Sequence, residues 1–246
     1  MPTTTSSSAQ AARPINYAIL TEVIILGGTA VLFLAKWSRG NLSFYIHPRY
    51  TALVLIAALA LLLMAAVRLR GVLTVPRSEA RLNWLHLMLA VPLLMGVLVP
   101  ARPLGADTLA GRGLDLSVLP VAANQDDLLT GDPSAWNLLQ WSTAVNLLGG
   151  ELHEQPIDVV GFVYQDARLP AHSFYVARYV ITCCAADGAA VALSVQWQNG
   201  EQLPPDSWVR VRGTLLVEDG AAGAPATIAA TTVEPIEQPD VPYLFP

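Results

Sequence analysis

Trp84-Leu-His-Leu-Met-Leu-Ala-Val-Pro-Leu-Leu-Met-Gly-Val-Leu-Val-Pro100 is the last of three apolar runs, and the character of the chain changes where it ends. A helical bilayer span needs roughly 17–25 predominantly apolar residues. Trp84–Val99 supplies 16; upstream, Tyr17–Ala35 supplies 19 and Thr51–Val67 supplies 17. Glu22 is the one formal charge inside the three runs. The expectation is a three-span membrane part carrying one extramembrane domain.

Charge divides at the same point. Residues 1–100 hold 8 Lys+Arg and 2 acids, a net of +6; residues 101–246 hold 6 Arg, no Lys and 17 acids, a net of −11. A nucleic-acid binder needs a basic footprint to neutralise phosphates. The domain after Pro100 has the opposite sign, so no nucleic-acid partner is expected; basic loops on a partner, or a cation, suit it better.

Met1–Pro14 is Thr/Ser-rich and reads as a disordered tail. Tyr17–Ala35 is long for a signal-peptide core and lacks a small-x-small site before Lys36, so it reads as a retained span. Within it, Gly27-Gly28 permits close helix approach. Glu22 is a functional candidate as an intramembrane acid, against the plainer reading of a shallow residue reaching the headgroups. His47 and Arg49 lie in the aromatic and basic loop Lys36–Tyr50, where interface anchoring competes with a ligand or proton role. The positive-inside rule ties, at five basic residues a side. The dense basic loop Arg68–Arg81 and the anionic leaflet's repulsion of an acidic domain break the tie. The expected location is the cell membrane, multi-pass, with the C-terminal domain extracytoplasmic.

Asp132-Pro133 announces a helix, with Asp as N-cap and Pro at the first turn, ended by Gly149-Gly150. From Ile157 the pattern turns to strands: Ile157–Gln165, Phe174–Cys183, Ala189–Gln196, Trp208–Val217 and Ala226–Glu234. Asp187-Gly188 signals a hairpin. Trp208-Val-Arg-Val-Arg212 alternates, with Arg210 and Arg212 on one face and Val209, Val211 and Leu215 on the other. Five short strands in about 80 residues suggest a closed barrel of the OB type, which removes edge strands. Gly161 and Gly213 are expected where a side chain would not fit. The expected organisation is a tail over 1–14, a three-helix transmembrane region over 15–103, a connecting segment over 104–150 with a helix over 133–148, and an all-β OB-like barrel domain over 151–246.

Several motifs resemble the YcgQ-like family of membrane proteins. They are Tyr45-Ile-His-Pro-Arg49, Pro100-Ala-Arg-Pro-Leu104, Gly161-Phe-Val-Tyr164, Arg178-Tyr-Val-Ile-Thr-Cys-Cys-Ala-Ala-Asp187, Val209-Arg-Val-Arg-Gly213 and Pro239-Asp-Val-Pro-Tyr243. The Cys-Cys-Ala-Ala-Asp stretch is the most specific. The resemblance implies a permease subunit with a C-terminal domain of unknown function, associated with a polytopic permease encoded beside it. It carries over no catalytic residue.

Cys183, Cys184, Asp187 and His172 offer thiolates, a carboxylate and an imidazole, a set that suits zinc. Strand geometry argues the other way. Neighbouring side chains on a strand point to opposite faces, and His172 lies a strand length away. The expectation is that one cysteine is buried and the other accessible, with packing their role and no metal bound. With no Gly-rich phosphate loop, HExxH or GxSxG, the sequence points to no enzyme and no cofactor. The first reading is a non-enzymatic accessory subunit of a membrane permease, in contact with the lipid bilayer. The alternatives are a free-standing membrane-anchored binding module of the OB type and, behind it, a metal- or thiol-responsive sensor.

Overall fold

Two kinds of periodicity build two units, divided into residues 1–42 with 49–101 and residues 43–48 with 102–246. The computed structural model describes residues 15–75, 83–112, 129, 131–218 and 225–246. The tail over 1–14, the Arg77–Arg81 part of the basic loop and residues 113–128 and 130 of the connecting segment lie outside the described residues.

The first unit is helical. Helix α1, Tyr17–Ser38, starts where the Asn16 side chain accepts the amides of Ala18 and Ile19. Helix α2 spans Thr51–Thr74. These two are long and apolar enough to cross a membrane. Helix α3, Trp84–Leu98, has only 15 residues and contains Pro92. At ~1.5 Å per residue it is about 22 Å long, short of the ~30 Å hydrocarbon core. The three expected runs are therefore three helices, of which two have full spanning length.

Small residues set the helix contacts. Ala58, Ala65 and Val72 recur every seven residues on the buried side of α2. Gly71 faces Ile19, and Gly27 faces Ala65, so α1 and α2 run antiparallel. Gly28 meets Leu93 and Gly96 meets Leu32, so α3 runs parallel to α1. A Cβ at Gly28 would stand 2.8 Å from a Leu93 methyl. This is the close approach that glycine allows between packed helices.

The second unit is a closed five-stranded barrel in the order β1-β2-β3-β5-β4. Its strands are β1 Pro156–Tyr164, β2 Ser173–Val180, β3 Ala189–Gln196, β4 Trp208–Val217 and β5 Ala226–Ile236. Four neighbour pairs are antiparallel and β3–β5 is parallel. Val209, Val211 and Leu215 are fully buried inside, while Arg210 and Arg212 point outward and share Asp158 at 2.7–3.1 Å. A register shift falls between Arg212 and Gly213. There a Cβ would collide with the Ala229 carbonyl oxygen, and at Gly161 one would stand 2.6 Å from the Ala177 oxygen. Both glycines are therefore required by backbone approach, and Gly213 marks a bulge.

Among the described residues, two α-helices complete this unit. Helix α4, Ala106–Arg112, buries Leu109 in an outer cluster with Phe162, Tyr179, Trp208 and Tyr243. Helix α5, Leu138–Leu148, closes the barrel with the fully buried Trp141. It starts later than the sequence suggests. Asp132 caps only a 3-10 turn, Pro133–Ala135. The helix proper starts at a capping box, in which Asn137 accepts backbone amides and Gln140 reaches back to the Asn137 amide.

Candidate functional site

Strand β2 ends at Val180, not at Cys183, and this changes the geometry of the cysteine pair. Beyond it the chain bends, and the Asp187 carboxylate gathers the amides at the bend. Oδ1 accepts from Thr182 at 3.1 Å and Oδ2 from Cys183 at 2.7 Å. A 3-10 turn over Ala185–Asp187 holds the carboxylate in place. Because the backbone between the cysteines is no longer strand, the alternation rule does not apply to them. Cys183 Sγ lies 3.7 Å from Cys184 Sγ.

The expectation of opposite faces and one buried thiol is thus corrected. Both sulfurs lie on one side, with Cys183 exposed and Cys184 half-buried. Cys183, Cys184 and Asp187 have ligand atoms within 4.8 Å of one another. Electrostatics binds the trio together. The Asp187 carboxylate, with the neighbouring Cys184 thiol, pushes the Cys183 thiol up to about 11. Burial works against the charge of Asp187, but hydrogen bonds from the Cys183 thiol and the amides of the turn hold its carboxyl below the usual range.

His172 does not join them. Its ring is hydrogen-bonded with the Gln198 carbonyl at 2.9 Å, and its amide donates to Glu201. It stands at a positive φ of 63° before β2, at the far end of that strand.

Another candidate takes its place beside the cysteines. Ser43–Pro48, from the loop between α1 and α2, belongs to the barrel unit. Ile46 forms an antiparallel bridge with Cys184. The His47 amide donates to the Cys183 carbonyl and the Ala185 amide to the Tyr45 carbonyl, each at 2.9 Å. The His47 ring rests against Phe245 at 4.3 Å.

The C-terminal tail completes the junction. The Tyr243 hydroxyl accepts from the Leu104 amide at 2.8 Å and donates to the Phe44 carbonyl at 3.1 Å. Leu244 bridges Val180 in parallel. Arg178 lies over the Trp208 ring and donates to the carbonyls of Val241 and Pro242; burial lowers its guanidinium to about 10. Parts of four motifs far apart in the sequence, over 45–48, 102–104, 178–187 and 239–243, therefore contribute to one corner of the barrel. The sequence holds no signal of periodicity for such a meeting. Only the motifs themselves mark it.

Glu22 lies in the helical unit, 3.4 Å from Arg68 Nε and 3.6 Å from His86 Nε2, so one acid draws together groups from all three helices. Arg49 stands over the Tyr50 ring at 4.9 Å. In the barrel unit a cleft of about 440 Å³ opens between α4 and the strands, lined by Arg102, Asp107, Phe162, Asp206 and Trp208 among others.

Comparison with known proteins bears on the whole chain. A relative from Bacillus subtilis (strain 168), UPF0703 protein YcgQ, is 19% identical, the match covering 91% of this chain and 98% of that protein. A relative from Streptococcus mutans serotype c is 23% identical over 81% of this chain and 88% of its own length, and bears the name "Putative two-component membrane permease complex subunit". The DUF1980 N-terminal domain matches residues 21–115 and the DUF1980 C-terminal domain matches residues 134–246. With both domains in order along its length, the chain belongs to the DUF1980 family.

Proposed function

We propose that this chain is a non-enzymatic accessory subunit of a membrane permease. It is held by three spans, with the barrel on the extracytoplasmic side. The Streptococcus mutans relative, named as a subunit of a two-component complex, supports the role. The apolar side chains that α2 and α3 leave exposed support a protein or lipid partner for these helices: Leu53, Ile56 and Leu63 on one, Trp84, Leu85 and Leu98 on the other.

The observation that carries the topology is the bridge between Ile46 and Cys184. Ile46 precedes α2 and Cys184 follows α3. Two segments on either side of a pair of helices share a membrane face only if both helices cross, or neither does. Since α2 is long and apolar enough to cross, the bridge supports a crossing by α3 as well. The 15 residues of α3 then imply local thinning of the bilayer or burial against neighbours, a modest cost per ångström of mismatch. The basic residues Arg68 and Arg70 at the end of α2 favour the cytoplasmic face there, which supports an extracytoplasmic barrel.

The strand order, with β3 and β5 parallel, supports an OB-type barrel. Such barrels commonly bind ligands across the outer face of strands 2 and 3. Here Leu109 of α4 and Tyr243 of the tail cover Tyr179 on that side of β2. The covered face favours the subunit reading over a free-standing binding module. Co-expression with the polytopic membrane protein encoded beside it, followed by purification in mild detergent, tests the proposal. Co-elution at fixed stoichiometry is expected; elution of this chain alone refutes it.

A further inference from the structure

We propose that the turn Cys183–Asp187 binds one thiophilic divalent cation of the zinc class, through both cysteine sulfurs and a carboxylate oxygen of Asp187. The inference stands on the geometry of the turn and holds whether or not the chain partners a permease.

The distances carry the argument. Two sulfurs bound at about 2.3 Å to a tetrahedral zinc stand about 3.8 Å apart. The two Sγ atoms are 3.7 Å apart before any metal is placed. A disulfide would draw them to about 2.05 Å. A carboxylate oxygen on the same ion would stand about 3.6 Å from each sulfur. The three ligand atoms already lie within 4.8 Å, so a movement of about 1 Å closes the set.

The turn is also braced. Asp187 is fixed by the amides of Thr182 and Cys183, and these occupy only part of the acceptor capacity of its two oxygens. The cysteine backbone is clamped on its other side by Tyr45 and His47. Such outer hydrogen bonds orient ligands and sharpen metal affinity. As the ion enters, the two thiol protons pass to solvent and two metal–sulfur bonds form, so the dication meets two thiolates and one carboxylate. Sulfur ligation excludes magnesium and calcium, which take oxygen. Three protein ligands beside an exposed thiol leave the fourth position to water or an incoming ligand, the arrangement of an exchangeable site rather than a closed structural one. Pairing with Tyr45–His47 links occupancy to the seating of the α1–α2 loop.

The test uses the full chain in detergent, reduced and stripped of metal. Zn2+ is measured by equilibrium dialysis and Co2+ by its thiolate charge-transfer and tetrahedral d–d absorption. One ion per chain is expected, with affinity reduced at least tenfold in Cys183→Ser and in Cys184→Ser, and unchanged in His172→Ala. Should a serine variant misfold, the wild-type protein still decides. Zn2+ is expected to slow alkylation of both thiols and to slow amide exchange over residues 45–47. Absence of stoichiometric binding to the reduced wild type overturns the proposal. So does binding unaffected by both serine variants, or alkylation indifferent to Zn2+.

Discussion

Replacing Tyr243 with Phe removes one oxygen atom and two hydrogen bonds while leaving the ring in place. The side chain is 2% exposed, so neither bond is readily replaced by water. Burial pushes the phenol up, so it stays protonated and able to donate at neutral pH. The lost partners are the Leu104 amide at 2.8 Å and the Phe44 carbonyl at 3.1 Å. At a net ~0.5–1.5 kcal/mol per bond, the variant should lose about 1–3 kcal/mol. The loss should appear locally, as the freeing of the Phe44–His47 segment and of the stretch around Leu104. In hydrogen exchange of the full chain in detergent, 1–3 kcal/mol of local opening is roughly 5- to 150-fold faster exchange. The expected result is acceleration in peptides covering 44–47 and 104, with β4 unchanged. Unchanged exchange over both segments would refute the view that Tyr243 fastens them to the barrel.

Gly213→Ala should cost about 1–3 kcal/mol, read as a lowered melting temperature, because the new Cβ meets β5 backbone at the Ala229 oxygen and the Ala230 Cα. Gly111→Ala in α4, where a Cβ meets nothing within 4 Å, should be neutral or slightly stabilising, since it narrows the unfolded chain's freedom. Asp158 has its carboxyl lowered, chiefly by the hydrogen bond from Arg210, against the opposing effect of burial. Its folded value lies below its unfolded one, so its contribution is present above about pH 4 and is lost as pH falls through the folded value. Asp158→Asn should therefore cost up to ~1 kcal/mol at neutral pH, the partners being partly exposed, and the difference from wild type should vanish in acid. A difference that persists once the Asp158 carboxylate is protonated would remove the ion pair from the explanation.

The barrel was legible wherever a property is local. The alternation through Val209, Arg210, Val211 and Arg212 fixes which face is inside, because side chains on a strand repeat every two residues. The start of α5 was less so. Asp132 and Asn137 both carry capping side chains, and only packing of Leu138, Leu139 and Trp141 selects the later one. The cysteine turn was misread because strand geometry was carried past Val180. The bend depends on a carboxylate four residues beyond Cys183, and its clamp comes from Tyr45–His47 in a separate part of the chain. His172 precedes β2 and the cysteines follow it, so the whole length of that strand separates them.

The bridge between Ile46 and Cys184 is where the account is most exposed to test. Directly opposed residues of a non-hydrogen-bonded antiparallel pair have Cα atoms about 4.5 Å apart, within reach of a disulfide. The measurement is oxidative cross-linking of Ile46→Cys in a Cys183→Ser background, with the full chain in its native membrane. The account predicts an efficient intramolecular disulfide to Cys184, and labelling of either cysteine, when reduced, by an impermeant thiol reagent from the same membrane face. Failure to cross-link, with the two cysteines labelled from opposite faces, would show that α3 does not cross and that the loop and the barrel never meet.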